Sequence, residues 1–229
     1  LSQGFPDFMP DSELLNHADY FIKKGFNQYA PLGGMSNSQY KLFNAGAEEF
    51  DEVYTTESGL GPVYVATSCG SCHSGDSRGH MFTILTRFGQ TDSTGNQFLN
   101  FGAPQVQNHS IVGYTPEQIP IGTTFSKFIA PIASGVGFLE LVSDADIVAM
   151  ANASASNPDG VRGHPNWNNI PDYVTPFPNA ITQGGKYICR FGRKASTYNL
   201  LQQTAQAFNQ DIGITSTFLS NNPFNYLEG

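Results

Sequence analysis

Backbone punctuation sets the tightest limit on what this chain can fold into: 24 Gly and 14 Pro are scattered through 229 residues. Gly weakens a helix interior and Pro removes a donor and clashes with the preceding turn, so long helices cannot persist between them. The expectation is a mainly α fold of short helices joined by long, ordered loops. A chain of this length buries roughly 70% of its unfolded surface, enough for one large core or two small ones. No fixed-period repeat divides it, so one domain spanning residues 1–229 is expected, with an extension and helix over 1–37 before the main region at about 40–219.

Periodic apolar spacing places the helices. Ser12–Lys24 reads as one, with acids at its start, Lys23 and Lys24 at its end and Gly25 beyond. A second runs over Ser38–Phe50, where Tyr40, Phe43, Ala47 and Phe50 share a face. Val63–Ala66 forms a short approach to the cysteine motif, and little regular structure is expected over 87–137. A short helix over Asp144–Ala151 is capped by Ser143, with Asp146 completing a capping box. Residues 157–178 read as loop, and a last helix covers Asn199–Phe208.

The segment that carries chemistry is Cys69-Gly70-Ser71-Cys72-His73. C-x-x-C-H is the signature of c-type haem attachment, because on one helical turn the two thiols can each bond a porphyrin vinyl group. The adjacent His73 then offers its imidazole to the iron as proximal ligand. Gly70 and Ser71 are small enough for a macrocycle to lie against the backbone. Two rival readings compete. A zinc knuckle wants a second Cys/His pair at similar spacing, and only Cys189 remains. A thioredoxin-like dithiol wants a βαβ context, which is not evident. One covalent haem c is therefore the expected cofactor. Because this linkage is made outside the bacterial cytoplasmic membrane, the expected location is periplasmic or extracellular. Cys189 is left as a single thiol suited to buried packing.

The ligand opposite His73 decides whether the iron only moves electrons or also binds a substrate. His109, in a loop that can cross the distal face, is the first candidate, and His80, seven residues after His73, is the second. His164, His17, Met35, Met81 and Met150 are weaker, and an open or water-filled position is also compatible with the sequence.

Charge narrows the partners. The formal net charge is −8 with a pI near 4.9, so no basic stripe exists to neutralise nucleic-acid phosphates or to hold an anionic membrane surface. No run of 18 apolar residues spans a bilayer. The expected partner is a redox protein that donates or accepts electrons, or a second haem-bearing chain, and an oligomer is compatible with the composition. The 18 Phe and 10 Tyr against a single Trp would suit either an ordinary core or the walls of a planar cofactor site.

Several short blocks occur in a telling order: Gly59-Leu60-Gly61-Pro62, Gln105-Val106-Gln107, Ser134-Gly135-Val136-Gly137-Phe138-Leu139-Glu140 and Asp159-Gly160-Val161-Arg162-Gly163. Arg190-Phe191-Gly192-Arg193-Lys194-Ala195 and Asp211-Ile212-Gly213-Ile214-Thr215-Ser216 complete the set. Over roughly residues 40–216 the chain resembles the N-terminal haem half of the di-haem oxidoreductase family, peroxidase-type c-type cytochromes once labelled thiol oxidoreductases. The resemblance implies a cytochrome-c-like haem domain and a role in periplasmic electron transfer or peroxide reduction. Family members are longer and carry a second C-x-x-C-H, whereas this sequence has one, so peroxidase chemistry would need another haem-bearing chain.

Within these blocks Glu140 is a candidate proton-transfer carboxylate, its plainer reading being a residue near a helix start. Arg190, Arg193 and Lys194 stand out in a cation-poor chain and could hold haem propionates through charge-assisted hydrogen bonds. Gln105 and Gln107 are candidates for the distal lining. The functional expectation is a c-type haem oxidoreductase module, peroxidase-type when paired with a second haem. The alternative is a non-catalytic electron-carrier subunit of a multi-haem assembly.

Overall fold

The computed structural model describes residues 25–27, 30–31, 33–74, 79–89, 105–119 and 121–221. The helix expected over Ser12–Lys24, and His17 with it, lie outside these residues. Among them the order is β1 (Gly25–Asn27), β2 (Ala30–Pro31), α1 (Asn37–Asp51), β3 (Val63–Tyr64), α2 (Cys69–Cys72), β4 (Ile84–Gly89), β5 (His109–Ser110) and β6 (Thr124–Ile129). A 3₁₀ turn (Val136–Leu141), α3 (Asp144–Ser154), β7 (Asn166–Asn168), β8 (Thr182–Gln183), β9 (Lys186–Cys189), α4 (Leu200–Ala207) and a π turn (Phe208–Ile212) follow.

The helices arise where local chemistry agrees with spacing. Ser36 caps α1 in a reciprocal box: its hydroxyl accepts from the Gln39 amide at 3.3 Å and the Gln39 side chain accepts from the Ser36 amide at 2.9 Å. Phe43, Gly46 and Phe50 then fall on one buried face. Each phenyl ring removed from water contributes about 1.5–3 kcal/mol. Tyr40, expected on that stripe, is exposed instead. In α3 the Ser143 hydroxyl accepts from the Asp146 amide at 3.1 Å, and the helix continues to Ser154, past the expected end. Asn199 caps α4 by accepting from the Gln202 amide at 2.9 Å, and Leu200, Thr204 and Phe208 are buried at four-residue steps.

The mainly α, cytochrome-c-like expectation is overturned. Among the described residues helix makes up 29% and strand 17%, and the strands form several small antiparallel sheets. β1 pairs with β2, β3 with β5, β4 with β6, and β7–β9–β8 form a three-stranded sheet. A six-residue antiparallel pairing, from Ile84↔Ile129 to Gly89↔Thr124, therefore runs into the stretch expected to lack regular structure, with all of β6 inside it. Its strands are rich in β-branched and aromatic residues, with Ile84, Thr86 and Phe88 in β4 and Thr124, Phe125, Phe128 and Ile129 in β6, which suits a pleated ribbon. The β8–β9 hairpin turns on Gly184-Gly185, both with positive φ, the requirement of a two-residue type I′ loop.

Two buried clusters meet beside the cysteine motif. Tyr54, Leu60, Phe208, Ile212 and Ile214 form one, Phe43 and Phe50 the other, and Cys69 packs against both. A third cluster of Val174, Cys189 and Tyr198 lies under the last sheet, so Cys189 has the packing role expected of it.

Candidate functional site

The motif occupies a single helical turn whose ends are closed by its own neighbours. The Ser68 hydroxyl accepts from the Ser71 amide at 3.0 Å, the Ser71 hydroxyl donates to the Ser68 carbonyl at 2.7 Å, and the His73 amide donates to the Cys69 carbonyl at 2.9 Å. A turn this short has little stability of its own and is held by packing. Gly70 lies against the end of α1: a Cβ there would sit 2.6 Å from the Asp51 carboxylate oxygen. A larger residue here would have to turn the Asp51 side chain aside, while the nearest backbone atom, the Phe50 carbonyl oxygen, lies at an ordinary 3.6 Å. The His73 ring lies 6.0 Å from that of Phe50, tilted by 56°.

Beside the turn opens a cleft of about 390 Å³, within the range of small-molecule and cofactor sites. Ser71 and Cys72 form one wall, Tyr64–Thr67 another, and Phe82–Ile84 with Asn108 and His109 close it. The β3–β5 pairing sets Tyr64 opposite His109, and their rings stack at 5.6 Å and 20°. His109 is therefore delivered to the same cavity as Cys72 across a long stretch of sequence. His80 is exposed, its ring 4.9 Å from Phe82 and its Nδ1 accepting from the Phe82 amide at 3.3 Å. Thr83 links this loop to the motif, its hydroxyl donating to the Cys72 carbonyl at 3.4 Å.

Burial dominates the electrostatics. It pushes the Cys69 thiol up to about 12 and the Cys72 thiol up to about 11, with the Asp211 charge adding to both. Burial likewise raises Asp211, against the opposing pull of the Gln105 hydrogen bond and of the Arg87 and His73 charges. Thiols held in the protonated form are the opposite of what a disulfide-exchanging dithiol needs. Among the described residues no three His, Cys, Asp or Glu side chains converge as a metal-holding group. Two thiols three residues apart with an imidazole next to them are the donors that a tethered haem would use; Cys72 lines the cleft, while Cys69 packs against the two buried clusters.

The remaining candidates have structural partners. Gln105 and Gln107 are buried on one side of an extended segment and both donate to the Gln210 carbonyl, at 3.2 and 3.0 Å. Gln105 also donates to the Asp211 carboxylate, and Gln107 to the Val63 carbonyl at 3.3 Å. The Glu140 carboxylate accepts from the Leu200 amide at 2.7 Å, at the start of α4. Arg190 is buried in an ion pair with Asp144 and donates to the Val142 carbonyl at 2.9 Å. Arg193 donates to the Ile129 carbonyl at the end of β6, and Lys194 is exposed. Met35 packs in the Phe43–Phe50 cluster, while Met81, Met150 and His164 are exposed.

Residues 124–225 match the family model described as di-haem oxidoreductase, putative peroxidase. Neither a curated protein nor a solved structure matches the chain. The di-haem oxidoreductase match takes in the blocks around Glu140, Asp159, Arg190 and Asp211, and bears out the resemblance over that part. It begins after the cysteine motif and after Gln105-Val106-Gln107. The matched segment nonetheless reaches the motif physically, because the Asp211 carbonyl accepts from the Val65 and Ala66 amides at 2.7 and 3.0 Å. Tyr64, Thr83 and Asp211 were not singled out from the sequence. The alternation Val63-Tyr64-Val65 was the available hint for the first, whereas the other two depend on contacts far apart in sequence.

Proposed function

We propose that this chain is a c-type haem oxidoreductase module that works in periplasmic or extracellular electron transfer, and becomes peroxidase-type when a second haem-bearing chain joins it. The observation that carries this reading is the placement of Cys69, Cys72 and His73 on one turn, with Cys72 on the wall of the aromatic cleft. Haem, when bound, supplies an iron that cycles between ferric and ferrous states. The protein's share is positional. Cys69 and Cys72 would tether the macrocycle, His73 would supply a nitrogen ligand to its iron, and Tyr64, Phe82 and His109 line the cleft beside it.

The high thiol values support this assignment over a redox dithiol, since a thiol fixed as a thioether never has to ionise in the folded state. The negative charge of the chain suits a basic redox partner. The resemblance of residues 124–225 to the di-haem oxidoreductases supports the oxidoreductase class.

The test is expression with export in a bacterium that matures c-type cytochromes, followed by intact mass under denaturing conditions. The expected mass is that of the chain plus one haem, with Cys69→Ser and Cys72→Ser each losing one thioether and the double variant losing the haem. A colourless parent with the bare polypeptide mass overturns the reading.

His109 on the cleft wall favours a second reading, in which its imidazole closes the sixth position and the chain is an electron carrier only. A low-spin ferric spectrum unmoved by cyanide, turning high-spin in His109→Ala, would select it. A parent that binds cyanide rapidly would select the peroxidase-type reading.

A further inference from the structure

The β4–β6 ribbon carries a surface unlike the rest of the chain. Its register sets Ile84 opposite Ile129, Thr86 opposite Lys127 and Phe88 opposite Phe125, and residues opposite one another in an antiparallel pair share a face. On that face Phe88 is buried, but Ile84, Phe125 and Ile129 are exposed, with the exposed Lys127 among them. Arg193 donates to the Ile129 carbonyl at 2.8 Å, which brings a second cation to the end of β6, and the exposed Lys194 follows it in sequence. The segments that build this surface, 79–89, 121–137 and 186–198, contain no Asp or Glu, in a chain whose formal net charge is −8. Much of the acidity lies at the end of α1. Residues 48–57 hold Glu48, Glu49, Asp51, Glu52 and Glu57 and no cation. Four of these carboxylates, all but Glu49, are exposed, and so is Val53 between them.

An apolar face set with cations is thus matched, on the same molecule, by a carboxylate-rich face with an apolar residue in it. Both are exposed, so neither covers the other within one molecule. From this complementarity we infer that the ribbon face is the docking surface for a second copy of this chain, whose acidic α1 end seats on Lys127, Arg193 and Lys194 around the Ile84–Ile129 pair. The contact joins unlike patches, so it is heterologous and leaves each copy one patch open to the next. Equal net charges oppose the approach of two copies, but at about 0.15 M salt the Debye length is about 8 Å, which screens that repulsion more than it screens facing side chains. The local pattern of charge then selects the partner. The contact stands on surface chemistry alone. On the haem reading above, it also assigns the second haem to another copy of this chain, because both patches border the motif: Ile84 lines the cleft with Cys72, and Asp51 lies against Gly70.

The experiment is sedimentation velocity of the full chain at about 0.15 M salt, over a concentration series reaching the millimolar range. The parent is compared with Lys127→Glu, Glu52→Lys and an equimolar mixture of the two variants. The parent is expected to form species larger than a monomer as concentration rises. Each variant alone is expected to associate at least about tenfold more weakly, because it sets like charges face to face. The mixture is expected to recover association, since the intact ribbon of Glu52→Lys meets the intact α1 end of Lys127→Glu. Both substitutions fall at exposed positions, and if one variant does not accumulate as folded protein the other decides alone. A parent that stays monomeric throughout the series overturns the proposal. Either single variant associating like the parent overturns it too, as does a mixture that associates no better than its components. A chain that carries no haem by intact mass yet associates in this pattern supports the proposal and overturns the haem reading alone.

Discussion

Arg190 and Asp144 form a buried ion pair that ties the first turn of α3 to the strand β9. The Asp144 carboxylate also accepts from the Ile181 amide at 2.7 Å, and the guanidinium lies 5.4 Å from the centre of the Phe177 ring. Burial makes the pair costly to form and far costlier to half-remove, because the surviving charge has no water to turn to. Asp144→Asn should lower unfolding free energy by about 3 kcal/mol in urea titration, whereas Asp144→Leu combined with Arg190→Met should recover most of that loss. If the single and double variants lose the same amount, Arg190 is not held by this charge.

Glu49 gives the fold a pH dependence of definite sign. Burial first, and the neighbouring Glu52 second, push its carboxyl from 4.5 to about 7, while the Tyr54 hydroxyl donates to it. The folded state therefore holds this proton more tightly than the unfolded state does. The stabilisation is complete below about pH 4.5 and is lost as pH rises through about 7. Allowing for its half-exposed position, the loss is about 1 kcal/mol. Stability curves of the parent and Glu49→Gln between pH 4.5 and 8.5 should diverge by that amount, the variant being the flatter. Parallel curves would show that Glu49 titrates normally.

Gly213 stands where two parts of the chain nearly touch. A Cβ there would lie 2.3 Å from the Val63 carbonyl oxygen and 2.9 Å from the Gly61 Cα, both backbone atoms that cannot step aside. Gly160 has a similar positive φ but open space around it. Gly160→Ala should cost about 1 kcal/mol from conformation alone. Gly213→Ala should cost about 2–4 kcal/mol, the excess being the clash. Thermal melts of the two variants separate these contributions, and equal losses would remove the clash from the account.

What could be read in the sequence divides by range. α1 and α4 were legible because Ser36 and Asn199 are good caps and the apolar steps of three and four follow directly. The Gly184-Gly185 hairpin turn went unread, because the strands it joins are only two and four residues long. The β4–β6 pairing was not legible either, since nothing local tells Ile84 that Ile129 will lie beside it. At the site the split is the same. Cys69, Cys72 and His73 declare themselves by spacing. Asp211 becomes part of their surroundings only through a π turn and the side chain of Gln105, which no local pattern encodes.

Glu140 shows how a residue can be noticed for one chemistry and serve another. Its carboxylate accepts from the first amide of α4, where the helix presents its positive end and an otherwise unpaired donor. Glu140→Gln keeps a carbonyl oxygen for that hydrogen bond but loses the charge, so it should cost about 0.5–1 kcal/mol in denaturant titration. Glu140→Ala loses both and should cost about 1–2 kcal/mol. If Glu140 serves only the helix, peroxide turnover by the haem-loaded chain, with a second haem protein supplied, keeps the parent's pH profile in Glu140→Gln. A profile that loses one limb in that variant while stability is unchanged would instead return Glu140 to the proton-transfer role first read from its neighbours in sequence.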